Sequence, residues 1–168
     1  MIGYIIAIAL LVIIVAAATL FYNKKQNECS QQVYAMNPIL FNQWYCLQDR
    51  ITDAQTKLDD ANSKITIYQT KLQTITDANA AAKLQAAIVC QQNYVTYLNK
   101  MLDLYYNTSA QTIREQIANE CGGIAKFYKP NINTPADNGG VPPNCKTVMM
   151  PGVTAADLSP NIRCELLN

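Results

Sequence analysis

The spacing of apolar positions changes three times along this chain. Residues 2–22 are apolar almost without interruption, residues 51–71 repeat every seven, and after Gly122 no spacing survives. The middle stretch is the most regular. It reads I-T-D-A-Q-T-K, L-D-D-A-N-S-K, I-T-I-Y-Q-T-K: a branched apolar residue opens each unit (Ile51, Leu58, Ile65), Ala54, Ala61 or Tyr68 follows three places on, and a lysine closes it. Apolar residues at alternating intervals of three and four lie on one face of a helix, which predicts a coiled-coil seam. With Ile51 at position a, the seam extends back through Trp44 and Leu47 and forward through Leu72 and Ile75.

The ends of this helix are also marked. Asn37-Pro38 pairs a good N-cap with a residue suited to the first helical position, so the long helix is expected to begin there. Residues 28–36 read equally well as a short helix or a linker. Beyond Ile75 the apolar positions return in another phase, through Leu84, Ile88, Val95, Leu98, Leu102 and Tyr105. The phase change is neither a stutter nor a stammer, so one straight helix would turn its face away from its partner. A hairpin near residues 76–79 removes the conflict, with Asp77 capping the second helix; the alternative is a single rod of about 100 Å. A third helix is predicted over residues 110–121, capped by Ser109 and ended by Gly122-Gly123. Arg50, Lys57, Lys64 and Lys71 form a basic shoulder beside the seam and read as its solvated edge. Asp53 with Lys57 and Asp60 with Lys64 have the spacing and order of helix-stabilising ion pairs.

Residues 2–22 carry no charge, and at ~1.5 Å per residue they span about 30 Å, the thickness of a bilayer's hydrocarbon core. Phe21 and Tyr22 then fall where aromatic rings favour the headgroup boundary, with Lys24 and Lys25 in water beyond. Ala16-Ala17-Ala18 offers a signal-peptide cleavage site, but no basic residue precedes the run and the run is long for a signal core, so a retained anchor is the expectation. Gly3 ahead of a hydrophobic helix resembles a type IV pilin start, yet the acidic residue such a start carries five places on is absent. At the other end, six of the seven prolines follow Gly122, which predicts an extended arm laid over something or disordered. The fold class expected is therefore all-α: an N-terminal transmembrane helix (residues 1–25 with its basic flank), a long helical hairpin or coiled coil (26–121), and an extended Pro-rich C-terminal arm (122–168).

Composition narrows the chemistry. Thirteen basic and twelve acidic residues are spread along the 168-residue chain, so there is no concentrated basic face for nucleic acid. There is no histidine, which removes the commonest general base and metal ligand. No nucleophile–base pair, phosphate loop or C-x-x-C motif is present, and neither a catalytic residue, a metal site nor a cofactor is expected. Cys29, Cys46, Cys90, Cys121, Cys145 and Cys164 make an even set outside the apolar run, the count of three disulfides, with all fifteen pairings open. That set favours an oxidising compartment, whereas Lys24 and Lys25 by the positive-inside rule favour the cytoplasm, and the side of the membrane stays open. Asn107-Thr108-Ser109 is a sequon, so Asn107 is a possible glycosylation site if this part is lumenal.

The order anchor, helical domain, cysteine-bearing arm resembles the small membrane-anchored minor capsid and virion membrane proteins of large icosahedral DNA viruses. The resemblance implies a structural tether or assembly factor that joins a membrane, in a virion or a cell, to a scaffold of capsid subunits. It also implies disulfides formed in a cytoplasm-facing protein. A homo-oligomer is a further expected partner arrangement. The alternative is a cell-surface or lumenal binding module, a receptor or adhesin stalk.

Overall fold

The computed structural model describes residues 2–122, 143–158, 162 and 164, and among them there are helices and no strand. In chain order they are α1 (Ile2–Met36), α2 (Pro38–Leu72), α3 (Ala78–Asp103), a π-helical turn (Leu104–Ser109), α4 (Ala110–Glu120) and the short α5 (Ala155–Leu158). Of the prolines from which the extended arm is predicted, Pro130, Pro135, Pro142 and Pro160 lie outside the described residues.

Residues 28–36 belong to α1, which runs unbroken from the apolar segment into the fold and crosses the boundary expected at residue 25. A proline disfavours helical backbone at the residue before it, and Asn37 accordingly sits at φ −129°, ψ 86°. Its side-chain oxygen accepts a hydrogen bond from the Leu40 N–H at 3.1 Å. The ladder still crosses the break: the Asn37 N–H donates to the Val33 carbonyl, and the Phe41 N–H donates to the Asn37 carbonyl. α1 and α2 are thus joined by a one-residue kink instead of a loop.

On α2 the positions called d are the fully covered ones: Leu47 is 3% exposed, Ala54 5%, Ala61 1% and Tyr68 7%. Of those called a, Ile51 is buried, while Trp44, Leu58, Ile65 and Leu72 are half-buried. The line of closest approach therefore follows d, where two alanines let another helix come near. That helix is α3. Tyr68, Leu84, Ala87 and Ile88 form one cluster, with Ile65 and Leu72 against it. Leu47, Ile51 and Ala54 share a second cluster with Leu98, Met101, Leu102 and Tyr105. Low numbers meet high ones, so α2 and α3 are antiparallel. Asp77 caps α3 as expected, its carboxylate accepting from the Ala80 N–H at 2.7 Å.

Two expectations about helix ends are corrected. Ile75 is not part of the seam: α2 closes at Leu72, where the Thr74 N–H and hydroxyl both turn back to the Lys71 carbonyl, and Ile75 is left in the turn, 37% exposed. Ser109 does not cap a separate third helix. The chain stays helical from Ala78 to Glu120, and the Ala110 N–H bonds to the Tyr105 carbonyl five residues back, so α4 begins with a partner already in place. The Ser109 hydroxyl, freed from capping, donates to the Pro151 carbonyl at 2.7 Å.

Because α3, the π turn and α4 make one long run, that run outreaches the start of α2 and meets the end of α1. Val33 and Tyr34 of α1 are buried in the cluster that holds Ile113 and Ile117 of α4. The Tyr34 ring also meets Phe41 edge-on at 6.3 Å. Upstream, α1 projects alone among the described residues, with Leu11 65%, Ile14 66% and Leu20 71% exposed. It is long and apolar enough to cross a membrane, and its apolar window has no buried residue.

Candidate interaction surfaces

The six cysteines pair as Cys29–Cys121, Cys46–Cys145 and Cys90–Cys164, leaving no free thiol. Every bridge crosses the other two in sequence, and the separations run from 74 to 99 residues. Each therefore needs the folded helix pair to bring its ends together. Cys29–Cys121 staples the end of α1 to the end of α4, seven residues beyond Tyr22. The other two fasten the C-terminal arm, one to α2 and one to α3.

Between those fastenings, residues 143–158 form a strap held mostly through backbone atoms. Arg50 donates from Nη2 to the carbonyls of Lys146 (3.1 Å) and Val148 (3.4 Å), and Gln43, two helical turns back, donates to the Met149 carbonyl at 3.1 Å. Met150, Pro151, Gly152 and Val153 then make a tight turn: the Val153 N–H donates to the Met150 carbonyl, and Gly152 takes φ +75°, the left-handed value a type II turn requires at its third residue. That turn drives Met150 and Val153 into the main core, 4% and 7% exposed. Thr154 and Asp157 cap α5 reciprocally: the Thr154 N–H donates to the Asp157 carboxylate, and the Asp157 N–H donates to the Thr154 hydroxyl oxygen. Lys100 on α3 meets Asp157 at 2.7 Å. The Lys100 ammonium and the Thr154 donors hold the Asp157 carboxyl well below the usual carboxylate range.

The sequence reading missed Gln43, Arg50, Lys100 and Ser109 as strap holders. All four act on partners more than forty residues away, and helical periodicity carries no information on such contacts. Pro151-Gly152 and the T-x-x-D spacing were the available signals, for a turn and a cap.

The predicted ion pairs are present and exposed, Lys57–Asp53 at 2.7 Å and Lys64–Asp60 at 2.6 Å. At the membrane flank, Lys25 reaches back over the Phe21 ring at 5.1 Å, and Tyr22 and Lys24 are exposed. Asn107 lies in the π-helical turn with its amide donating to Asp103 at 2.6 Å. Ser109, which a sequon must offer to the transferring enzyme, is fully buried.

Two kinds of groove flank the α2–α3 contact. On the strapped side, pockets of about 250 and 390 Å³ are lined by Arg50, Asp53, Lys57, Tyr97, Tyr105 and Lys146. Burial pushes the Tyr97 and Tyr105 phenols up, so both are neutral hydrogen-bonding groups near pH 7. On the other side an open groove of about 470 Å³ runs between Trp44, Gln48 and Ile51 of α2 and Tyr106, Ala110 and Arg114. Among the described residues, no three histidine, cysteine or acidic side chains gather as metal ligands. Comparison with known proteins finds no family model, no curated protein and no solved structure that matches this chain.

Proposed function

We propose that this chain is a single-pass membrane-anchored structural protein, a tether or assembly factor between a membrane and a protein scaffold. One observation carries the reading: α1 leaves its exposed apolar segment and enters the core without a linker, and Cys29–Cys121 locks it there. A flexible stalk would let the helical domain swing. A stapled helix transmits the anchor's position to the hairpin, which is the mechanical requirement of a tether.

In this reading α2 and α3 form a two-stranded antiparallel coiled coil. The spacing 84, 88, 91, 95, 98, 102 on α3, continued by 105 in the π turn, supports it, as does the buried d line of α2. The Pro-rich arm is the strap that stiffens the lower half of the rod. About 75 Å of helix contour separates Tyr22 from Leu72 at ~1.5 Å per residue, long enough to carry the hairpin tip well clear of the headgroups. A shell of capsid subunits, the scaffold implied by the architectural resemblance, is the partner class proposed for that rod.

The test is fractionation of cells that make the full chain. Sedimentation with membranes and resistance to carbonate extraction are expected, and Ile13→Arg should weaken insertion by about 2.5–3.5 kcal/mol. Soluble protein lacking the first eighteen residues would replace the anchor with a cleaved signal and remove the basis of the tether.

A further inference from the structure

The strap touches the helix pair at Arg50 of α2, through its backbone at residues 146–148, and again at Lys100 of α3, through Asp157. Between these two contacts lies the pocket of about 250 Å³, which Leu158 of α5 lines together with both helices. Tyr94, Tyr97 and Tyr105 face it from α3 and the π turn, and Arg50, Asp53 and Lys57 from α2. This lining is rich in donors that the fold does not use. Tyr105 is 4% exposed, yet its hydroxyl has no hydrogen-bonding partner among the described residues, and neither do those of Tyr94 and Tyr97. Arg50 donates through Nη2 to the strap carbonyls, while its Nε–H is buried with no partner among the described residues. The charged acceptor of the lining, Asp53, is engaged by Lys57 at 2.7 Å.

Buried donors in folded proteins nearly always meet an acceptor, so several of them around one pocket define the chemistry of its ligand. The charges agree. Arg50 and Lys57 against Asp53 leave the pocket one positive charge, and Lys146 and Asp49, which line the adjoining pocket, offset each other. We propose that the pocket beneath the strap binds a small oxyanion, a carboxylate or a phosphate group, which accepts from the Tyr105 and Tyr97 hydroxyls and lies against the Arg50 and Lys57 cations. Such a group carries no donor of its own to compete and has at least two acceptor oxygens to share between the α2 and α3 walls. Hydrogen bonds to an ionised acceptor are also roughly twice as strong as those to a neutral one. The site is built from the hairpin and its strap alone, so it stands whether or not α1 spans a membrane.

The experiment takes the full chain in detergent, with the tyrosine ζ carbons isotopically labelled for NMR, and titrates it with sodium phosphate, sodium sulfate or sodium acetate while sodium chloride holds the ionic strength constant. Saturable shifts at Tyr97 and Tyr105 are expected with at least one of these anions, at a half-saturation below about 5 mM. Tyr22 and Tyr68, which do not line the pocket, should not move. A preference for phosphate and sulfate assigns a tetrahedral group, and a preference for acetate assigns a carboxylate. Tyr105→Phe removes a donor that the fold does not use, so it should keep wild-type stability and weaken binding about ten- to hundredfold, the range of a hydrogen bond to a charged group. Tyr97→Phe, at the half-buried edge of the pocket, should show the same loss and serves if the first variant fails to form its three disulfides. Half-saturation above about 5 mM for all three anions, shifts that sodium chloride reproduces, or folded Phe variants that bind as tightly as the wild type would each overturn the site.

Discussion

Gly152 lies so close over Thr108 that a β-carbon at residue 152 would overlap the Thr108 methyl group, and its φ of +75° is one that other residues rarely adopt. The strap turns into the core at this point, so both constraints fall on one residue. Gly152→Ala is expected to destabilise the fold by about 2–4 kcal/mol, the left-handed backbone and the overlap acting together. Adding Thr108→Ser, which removes the methyl, should recover the steric part and leave the backbone part. Chemical unfolding of the two variants measures this, and wild-type stability for Gly152→Ala would contradict the turn.

The strap should also loosen in acid. Asp157 has a folded-state pKa depressed below its ordinary 3.8 by Lys100 and Thr154, so its contribution is fully present above that value and is lost as pH falls below it, toward the folded pKa. Hydrogen exchange of residues 154–158 is predicted to quicken as pH drops below about 4, after correction for intrinsic rates. In Asp157→Asn the segment should exchange quickly at neutral pH and show little further acid dependence.

Much of this architecture was legible because it depends on residues near one another in sequence. The Asn37 and Asp77 caps, the hairpin, the long apolar N-terminal helix and the i,i+4 ion pairs each follow from a few adjacent positions. The phase change after Ile75 revealed the reversal, since the two apolar patterns cannot share one straight helix. What stayed hidden depends on long-range geometry. Ser109 resembles an N-cap locally, but the preceding residues remain helical and its hydroxyl turns to Pro151 instead. Arg50 resembles one more cation on a solvated shoulder until residues 146–148 pass beneath its guanidinium. The disulfide pairing was open for the same reason, because it is set by the arm's path across both helices.

The pairing itself is open to test. Peptide mapping without reduction should yield Cys29 with Cys121, Cys46 with Cys145 and Cys90 with Cys164, and alkylation should find no free thiol. Each bridge closes a long loop, worth about 4–5 kcal/mol on a chain-entropy estimate. Replacing Cys46 and Cys145 by alanine together should therefore lower stability by several kcal/mol, roughly 3–5. The hairpin cluster around Tyr68 and Ile88 lies beside the Cys90–Cys164 bridge, which that variant keeps, and should retain its protection.

Asn107 should stay unglycosylated in the folded protein, even in a lumenal compartment, because Ser109 is buried beneath the strap. Expression through a secretory pathway, followed by glycosidase treatment, is expected to give no mobility shift. A glycan on Asn107 in fully disulfide-bonded protein would show that the π turn opens or that modification precedes folding.

Closer packing at the seam gives a further check. Ala61 is 1% exposed at the line where α2 and α3 approach, so Ala61→Leu should cost about 1–3 kcal/mol by overpacking. Leu58→Ala, on the half-covered a line, leaves that approach unchanged and should mainly remove apolar contact.

The central claim is that the anchor passes rigidly into an upright helical rod. Energy transfer from a dye incorporated at Gln73, at the hairpin tip, to acceptor lipids in the bilayer surface measures the height of that rod directly. The account predicts a tip about 60–75 Å from the headgroups, the helix contour less the kink at Asn37. A tip within about 30 Å, with the disulfides intact, would mean that the hairpin lies down on the membrane and would contradict it.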